Sequence, residues 1–287
     1  MGLNKYFSVR QGYKSPKTEI QIDGMDVQLR TALWNAMCQS FWLNIKGNGY
    51  IRDNSHLTQM LYDLWTLYFK KAHDDFPEFW TPWEKTLKHY VFNCTWDEVY
   101  EIIEFMMDHW GVSYQLKDIT NIFNNTLERE LSGYRIINCI VTPITNQMEI
   151  DEINQAIESN DAIRPVKLQL EEALRKLSKR DEPDYRGSIK DSISSVESLC
   201  RLISKEPKLE LGKALKSLEQ NGKVKIHPSL RNGFMNIYGW TSDDQGIRHG
   251  LMDEPNLTFD DAKYMLVSCS AFINYLISKA AQAGLEF

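Results

Sequence analysis

Apolar side chains recur at three- and four-residue intervals along most of this 287-residue chain, and that period predicts helices. Leu29, Leu33, Ala36, Met37 and Phe41 lay one stripe. Leu57, Met60, Leu61, Leu64 and Tyr68 lay another on a helix expected from about Ser55 to Lys71. Val99, Ile102, Ile103, Met106 and Trp110 follow a cap at Cys94 or Thr95. In the second half the stripe Val166, Leu170, Ala173, Leu174, Leu177 stops at the polar run 178–184. Ile189, Ile193, Val196, Cys200 and Ile203 then take the alternating spacing of a bundle helix. A short helix is expected over Leu211 to Gln220, and another carries Leu230, Phe234, Ile237 and Tyr238 after the His227-Pro228 turn. The last, Thr258 to Ala281, has the widest stripe, from Ala262 to Ala280, with Thr258 and Asp261 as a capping pair. Such a stripe implies bundle packing and a partner subunit.

Three stretches break the period. Residues 8–26 mix turn formers with a short alternation at Ile20 and Ile22, an ordered arm leading to Asp26 as N-cap. Phe76, Phe79, Trp80 and Trp83 cluster around Pro77 and Pro82, which suggests an irregular core corner. From Tyr134 to Ile144 the chain is β-branched and aromatic, then turns at Thr145-Asn146-Gln147 before Glu149-Ile150; a short β-hairpin or pair of strands is expected, followed by a helix from Asp151 to Ser159. The fold class is therefore mainly α: an N-terminal helical domain with a small β-hairpin over 1–150 and a helical bundle over 151–287.

At 43% hydrophobic the chain is long enough for real cores. A net charge of −6 argues against a uniformly basic nucleic-acid binder, though not against a local basic site. Five widely spaced cysteines in apolar contexts read as reduced, buried thiols of a cytoplasmic protein, with no zinc-site spacing and no cofactor or metal expected. No signal-peptide core, myristoylation pattern or membrane-length apolar run is present in the sequence, so a soluble, cytoplasmic protein without membrane partners is expected. Neither G-x-x-x-x-G-K-[ST] nor G-x-S-x-G occurs, which argues against P-loop and serine-hydrolase chemistry. The acids Asp97, Glu98, Glu101 and Glu104, interleaved on the helix after Thr95, read as a solvated face.

Candidate chemistry concentrates in 238–250, where Arg248 and His249 stand side by side after a polar, glycine-containing turn. Imidazole moves protons near neutral pH and guanidinium pairs with phosphate, so the pair suggests phosphodiester chemistry. The plainer alternative is an arginine at a helix end beside an ordinary histidine. Glu197 and Arg201, four apart, are spaced to pair across one turn; facing the bundle interior, they and the hydroxyls around Ser192 would orient the basic pair.

The residues Ser8-Val9-Arg10-Gln11-Gly12-Tyr13, Pro16-Lys17 and Leu29 to Asn35 resemble an AbiJ-associated N-terminal domain. Ser192 to Ser198, Tyr238 to Asp243, Gly246-Ile247-Arg248-His249-Gly250 and Ser270 to Leu276 resemble the HEPN superfamily, so the whole chain is similar to AbiJ-type phage-defence proteins. The resemblance implies a metal-independent endoribonuclease working as a homodimer through its C-terminal bundle. Its RNA would be a tRNA or another structured RNA with single-stranded loops. Carried onto this chain, it implies Arg248 and His249 as catalytic, with Glu197, Ser192, Arg231, Asp243 and Asp253 as supporting residues. The family pattern sets a second histidine four to six residues after its arginine; here Asp253 and Glu254 stand in that interval, and Arg231-Asn232 is far off in sequence. A catalytically inactive module that binds RNA or nucleotide and assembles dimers is the alternative.

Overall fold

A computed structural model describes residues 7–13, 15, 18–43, 49–51, 55–158, 163–207, 211–220, 226–241 and 257–285. Its contacts fall into two units, 1–145 and 146–287.

After a four-residue helix, α1 (Phe7–Arg10), the first unit builds on α2 (Val27–Met37). Asp26 starts α2: its carboxylate accepts from Leu29 N–H at 2.7 Å, satisfying a donor that every helix start leaves open. The helix runs straight into a π-helical turn, Cys38–Trp42, and α3 (Ser55–Asp63) likewise runs into one at Leu64–Tyr68. The regular helix expected over 55–71 therefore widens partway. The cause is local: sequence-adjacent Phe41 and Trp42, and Leu64 and Trp65, are all buried, and a π turn brings neighbouring side chains closer together around the axis.

The proline-flanked aromatic stretch is a core corner that turns into a helix: Phe76, Pro77 and Phe79 lie in irregular chain, with Phe76 packed on the core, and α4 (Trp80–Asn93) takes up Trp80, Pro82 and Trp83. Pro82 is tolerated because it lies in the first turn, where the missing N–H has no helical acceptor to lose. Trp83 is fully buried against Trp65, Phe76 and Phe69. Thr95, not Cys94, caps α5 (Trp96–Asp108), and Glu98 closes the box by accepting from Thr95 N–H at 2.7 Å. The acids of α5 are more than a wet face. Glu101 accepts from the Tyr68 hydroxyl at 3.2 Å, and half-buried Glu104 accepts from Val141 N–H. Burial pushes the Glu104 carboxyl up, against that backbone donor, which lowers it.

After α6 (Ser113–Arg129), strands β1 (Arg135–Ile137) and β2 (Ile140–Thr142) pair antiparallel as Arg135↔Thr142, Ile136↔Val141 and Ile137↔Ile140. The turn is at Asn138-Cys139, both at positive φ (47° and 63°), and not at 145–147. A two-stranded ribbon is marginal alone. Here the Asn124 side chain of α6 gives to Ile136 O at 2.9 Å and accepts from Ile136 N–H at 2.7 Å, standing in for a third strand. The N-terminal arm adds a bridge: Gln21 N–H donates to Leu131 O and Gly133 N–H to Gln21 O. A Cβ on Gly133 would meet Ile22 Cγ1 at 2.9 Å and Gln21 O at 3.1 Å. Gly133→Ala is therefore expected to destabilise this unit by about 1–3 kcal/mol, read as a lower urea midpoint.

The second unit is all helical among the described residues: α7 (Gln147–Ile157), α8 (Arg164–Ser178), α9 (Tyr185–Ser204), α10 (Leu211–Gln220), α11 (Pro228–Trp240) and α12 (Phe259–Gln282). Asn146 belongs to the cap of α7, accepting from Met148 and Glu149 N–H, so that helix starts earlier than expected. Every residue of the stripes read on α8 and α9 is buried, and α9 packs on α8, α12 and α10. Small buried residues help it fit: Ser188 donates across to Ala173 O of α8 at 2.8 Å. Lys176 and Asp191 add an ion pair at 2.6 Å, and the carboxylate hydrogen bond raises the Lys176 pKa.

Cys200 and Cys269 are buried, whereas Cys38, Cys94 and Cys139 are half-buried, because the latter three sit at a π turn, a helix end and a hairpin turn. All five are free thiols. Among the described residues, no helix is long and apolar enough to cross a membrane.

Candidate functional site: a cationic groove in the C-terminal unit

Helices α10 and α11 border a cavity of about 480 Å³. From α10 it takes Gly212, Lys213 and Lys216; from α11 it takes Arg231, Asn232, Met235 and Tyr238. The α11 residues fall at i, i+1, i+4 and i+7, one face of a helix. Leu211 and Leu215 bury the opposite side of α10, which turns the two lysines outward, and both are exposed. On α11, Pro228 sits at the helix start and His227 caps it, its Nδ1 accepting from Ser229 N–H at 3.2 Å. Phe234 anchors the helix, its ring stacked on Phe272 at 3.8 Å between centroids. The Met235 side chain reaches over Gly212, where a Cβ would meet its Cε at 3.0 Å.

Behind the groove the Tyr238 hydroxyl donates to Glu197 Oε1 at 3.1 Å, and Glu197 pairs with Arg201 at 3.7 Å. The phenol is thereby fixed in place by α9, with a carboxylate holding its proton. Lys213, Lys216 and Arg231 put three cationic side chains around one cavity in a chain of net charge −6. Guanidinium, two ammonium groups and a carboxamide are a donor set suited to phosphate oxygens.

Of the residues singled out from the sequence, Arg231 lines the groove, and Glu197 reaches it through Tyr238. Ser192 does not: it is fully buried, and its hydroxyl donates to Ser188 O at 2.8 Å within α9, so it packs the core instead of orienting a ligand-facing group. Arg248, His249, Asp243 and Asp253 lie outside the described residues. Lys213 and Lys216 were not singled out from the sequence, and Tyr238, at the start of the 238–250 stretch, was given no role of its own because it also falls on the apolar face of its helix. The described residues hold no group of three or more His, Cys, Asp or Glu side chains arranged to bind a metal ion.

Comparison with known proteins gives one family match. The AbiJ N-terminal domain 4 family matches residues 5–159, more than half of the chain and nearly all of the first unit. No curated protein and no solved structure matches.

Proposed function

The chain belongs to the AbiJ family of abortive-infection, phage-defence proteins, and on that premise we propose that its C-terminal unit is a HEPN-type endoribonuclease. The observation that carries the reading is the cationic groove between α10 and α11, which offers Lys213, Lys216 and Arg231 to one run of phosphates. In this mechanism His249 removes the proton of a ribose 2′-hydroxyl, and the 2′-oxygen bonds to the neighbouring phosphorus. The bond from phosphorus to the 5′-oxygen breaks, leaving a 2′,3′-cyclic phosphate and a 5′-hydroxyl. Arg248 holds the scissile phosphate as negative charge builds on it. The leaving oxygen takes its proton from a second His249, supplied by another copy joined through the C-terminal bundle. Single-stranded loops are the substrate, since an A-form duplex hides its base edges.

Support for recognition by charge comes from the groove, and the test separates grip from cleavage. Purified full-length protein is incubated with a hairpin RNA in EDTA, and the products are resolved by length and end group. Cyclic-phosphate fragments are the expected result, and RNA left intact by the wild type sinks the proposal. In the double variant Lys216→Ala/Arg231→Ala, the salt slope of RNA binding should fall by about 0.7 per cation removed. An unchanged slope would place the RNA elsewhere.

A further inference from the structure

We infer that the groove between α10 and α11 seats an unstacked RNA base on Tyr238 and Met235, and so selects single-stranded RNA by ring contact as well as by charge. The inference rests on the reading that this groove holds the RNA strand. Its lining divides by chemistry. Lys213, Lys216, Arg231 and Asn232 carry donors suited to phosphate. Met235 and Tyr238 supply the apolar surface, and both are half-buried, so each still meets solvent. Among the described residues no Asp or Glu lines the cavity, which suits an anion and not a cation.

Tyr238 is the residue that points to a base. Its hydroxyl donates to Glu197 Oε1 at 3.1 Å, and a phenol has one proton to give, so what it offers a phosphate strand is its ring. That bond also ties the ring to α9 before any ligand arrives, which limits the side-chain freedom lost on binding. Along α11, Arg231, Met235 and Tyr238 stand at i, i+4 and i+7 on one face, with about 10 Å of helix rise between guanidinium and ring. A strand can therefore set a phosphate at Arg231 and Lys216 and lay a base on Tyr238 farther along. A cationic groove for the backbone with an aromatic face for the base is how single strands are held without sequence readout. In a duplex each base is already stacked on its neighbours, so only an unpaired segment can bring one to this ring.

The test compares two probes on the full-length protein across a salt series: an unstructured oligouridylate, and an abasic strand with the same number of phosphates. The wild type is expected to bind oligouridylate about fivefold or more tightly than the abasic strand, the worth of one stacked base, with equal salt slopes. Tyr238→Leu should lose that advantage while keeping the abasic affinity and the slope, since no charge is removed. Tyr238→Phe also gives up the Glu197 bond but keeps a ring, and should hold oligouridylate within about twofold of wild type. Equal wild-type affinity for the two strands overturns the assignment, whether or not the leucine variant folds. So does a Tyr238→Leu protein that binds oligouridylate as tightly as wild type, or one that loses as much affinity for the abasic strand. Those results leave the groove reading standing if Lys216→Ala/Arg231→Ala flattens the salt slope; a slope unmoved in that double variant overturns both.

Discussion

Replacing His249 with alanine is expected to slow RNA cleavage by roughly 10²–10⁴-fold while leaving RNA affinity nearly unchanged. That range is what one positioned proton-transfer group contributes. The separation follows from the charges involved: neutral imidazole adds little to the grip on phosphate, whereas Lys213, Lys216 and Arg231 already form a cationic groove. Grip and chemistry should therefore come apart in the two kinds of variant. His249→Ala lowers the single-turnover rate at saturating RNA, and the groove double variant raises the RNA concentration needed to reach it. Because one His249 must start neutral and the other protonated, the wild-type rate should pass through a maximum with pH and fall on either side. A flat profile, or wild-type rates from His249→Ala, would remove the imidazole from the mechanism.

Trp83→Ala should cost the first unit about 3–5 kcal/mol, the range for emptying the site of a large buried aromatic. Trp83 is fully buried, with the rings of Trp65, Phe69 and Phe76 centred within 6.3 Å. Against a total stability of about 5–15 kcal/mol, that loss is large. Trp83→Phe is the informative companion. The Trp83 indole N–H is buried without a hydrogen-bond partner, a condition worth about 1–3 kcal/mol against the fold. Phenylalanine removes that burden along with part of the packing, so the loss should be about 1 kcal/mol or less. Urea unfolding followed by tryptophan fluorescence reads both, because Trp34, Trp42, Trp65, Trp80, Trp83, Trp96 and Trp110 all fall in the first unit and only Trp240 in the second. Equal midpoints for the two variants would contradict this account.

What the sequence disclosed was what repeats. The stripe from Ile189 to Ile203 on α9 is buried throughout, and the one from Ala262 to Ala280 on α12 is buried except for half-buried Ile277, because a helix that buries one face must repeat near 3.6 residues. Caps were legible too: Asp26 and Thr258 bond as their residue types suggest. The π turns were not, since inserting one residue leaves a local apolar pattern that still reads as regular helix. Nor was the hairpin turn, because Asn138-Cys139 puts a cysteine where glycine usually takes the positive φ. The groove stayed hidden for a different reason. Lys213 and Lys216 are separated from Arg231 and Tyr238 by a change of helix, and only packing brings them to one cavity.

One wall of that groove is held less firmly than the helix behind it. Phe234 is the only buried residue among the 13 of α11, with the Tyr238 to Glu197 bond as a second tie, whereas α9 buries ten of its 20 residues. Backbone amides of α11 should thus trade hydrogen for deuterium through small local openings, while those of α9 wait for the whole unit to unfold. A strand lying between α10 and α11 would meet an α11 bank that yields in front of a fixed α9, so the width of the passage adapts to its cargo without disturbing the bundle behind it.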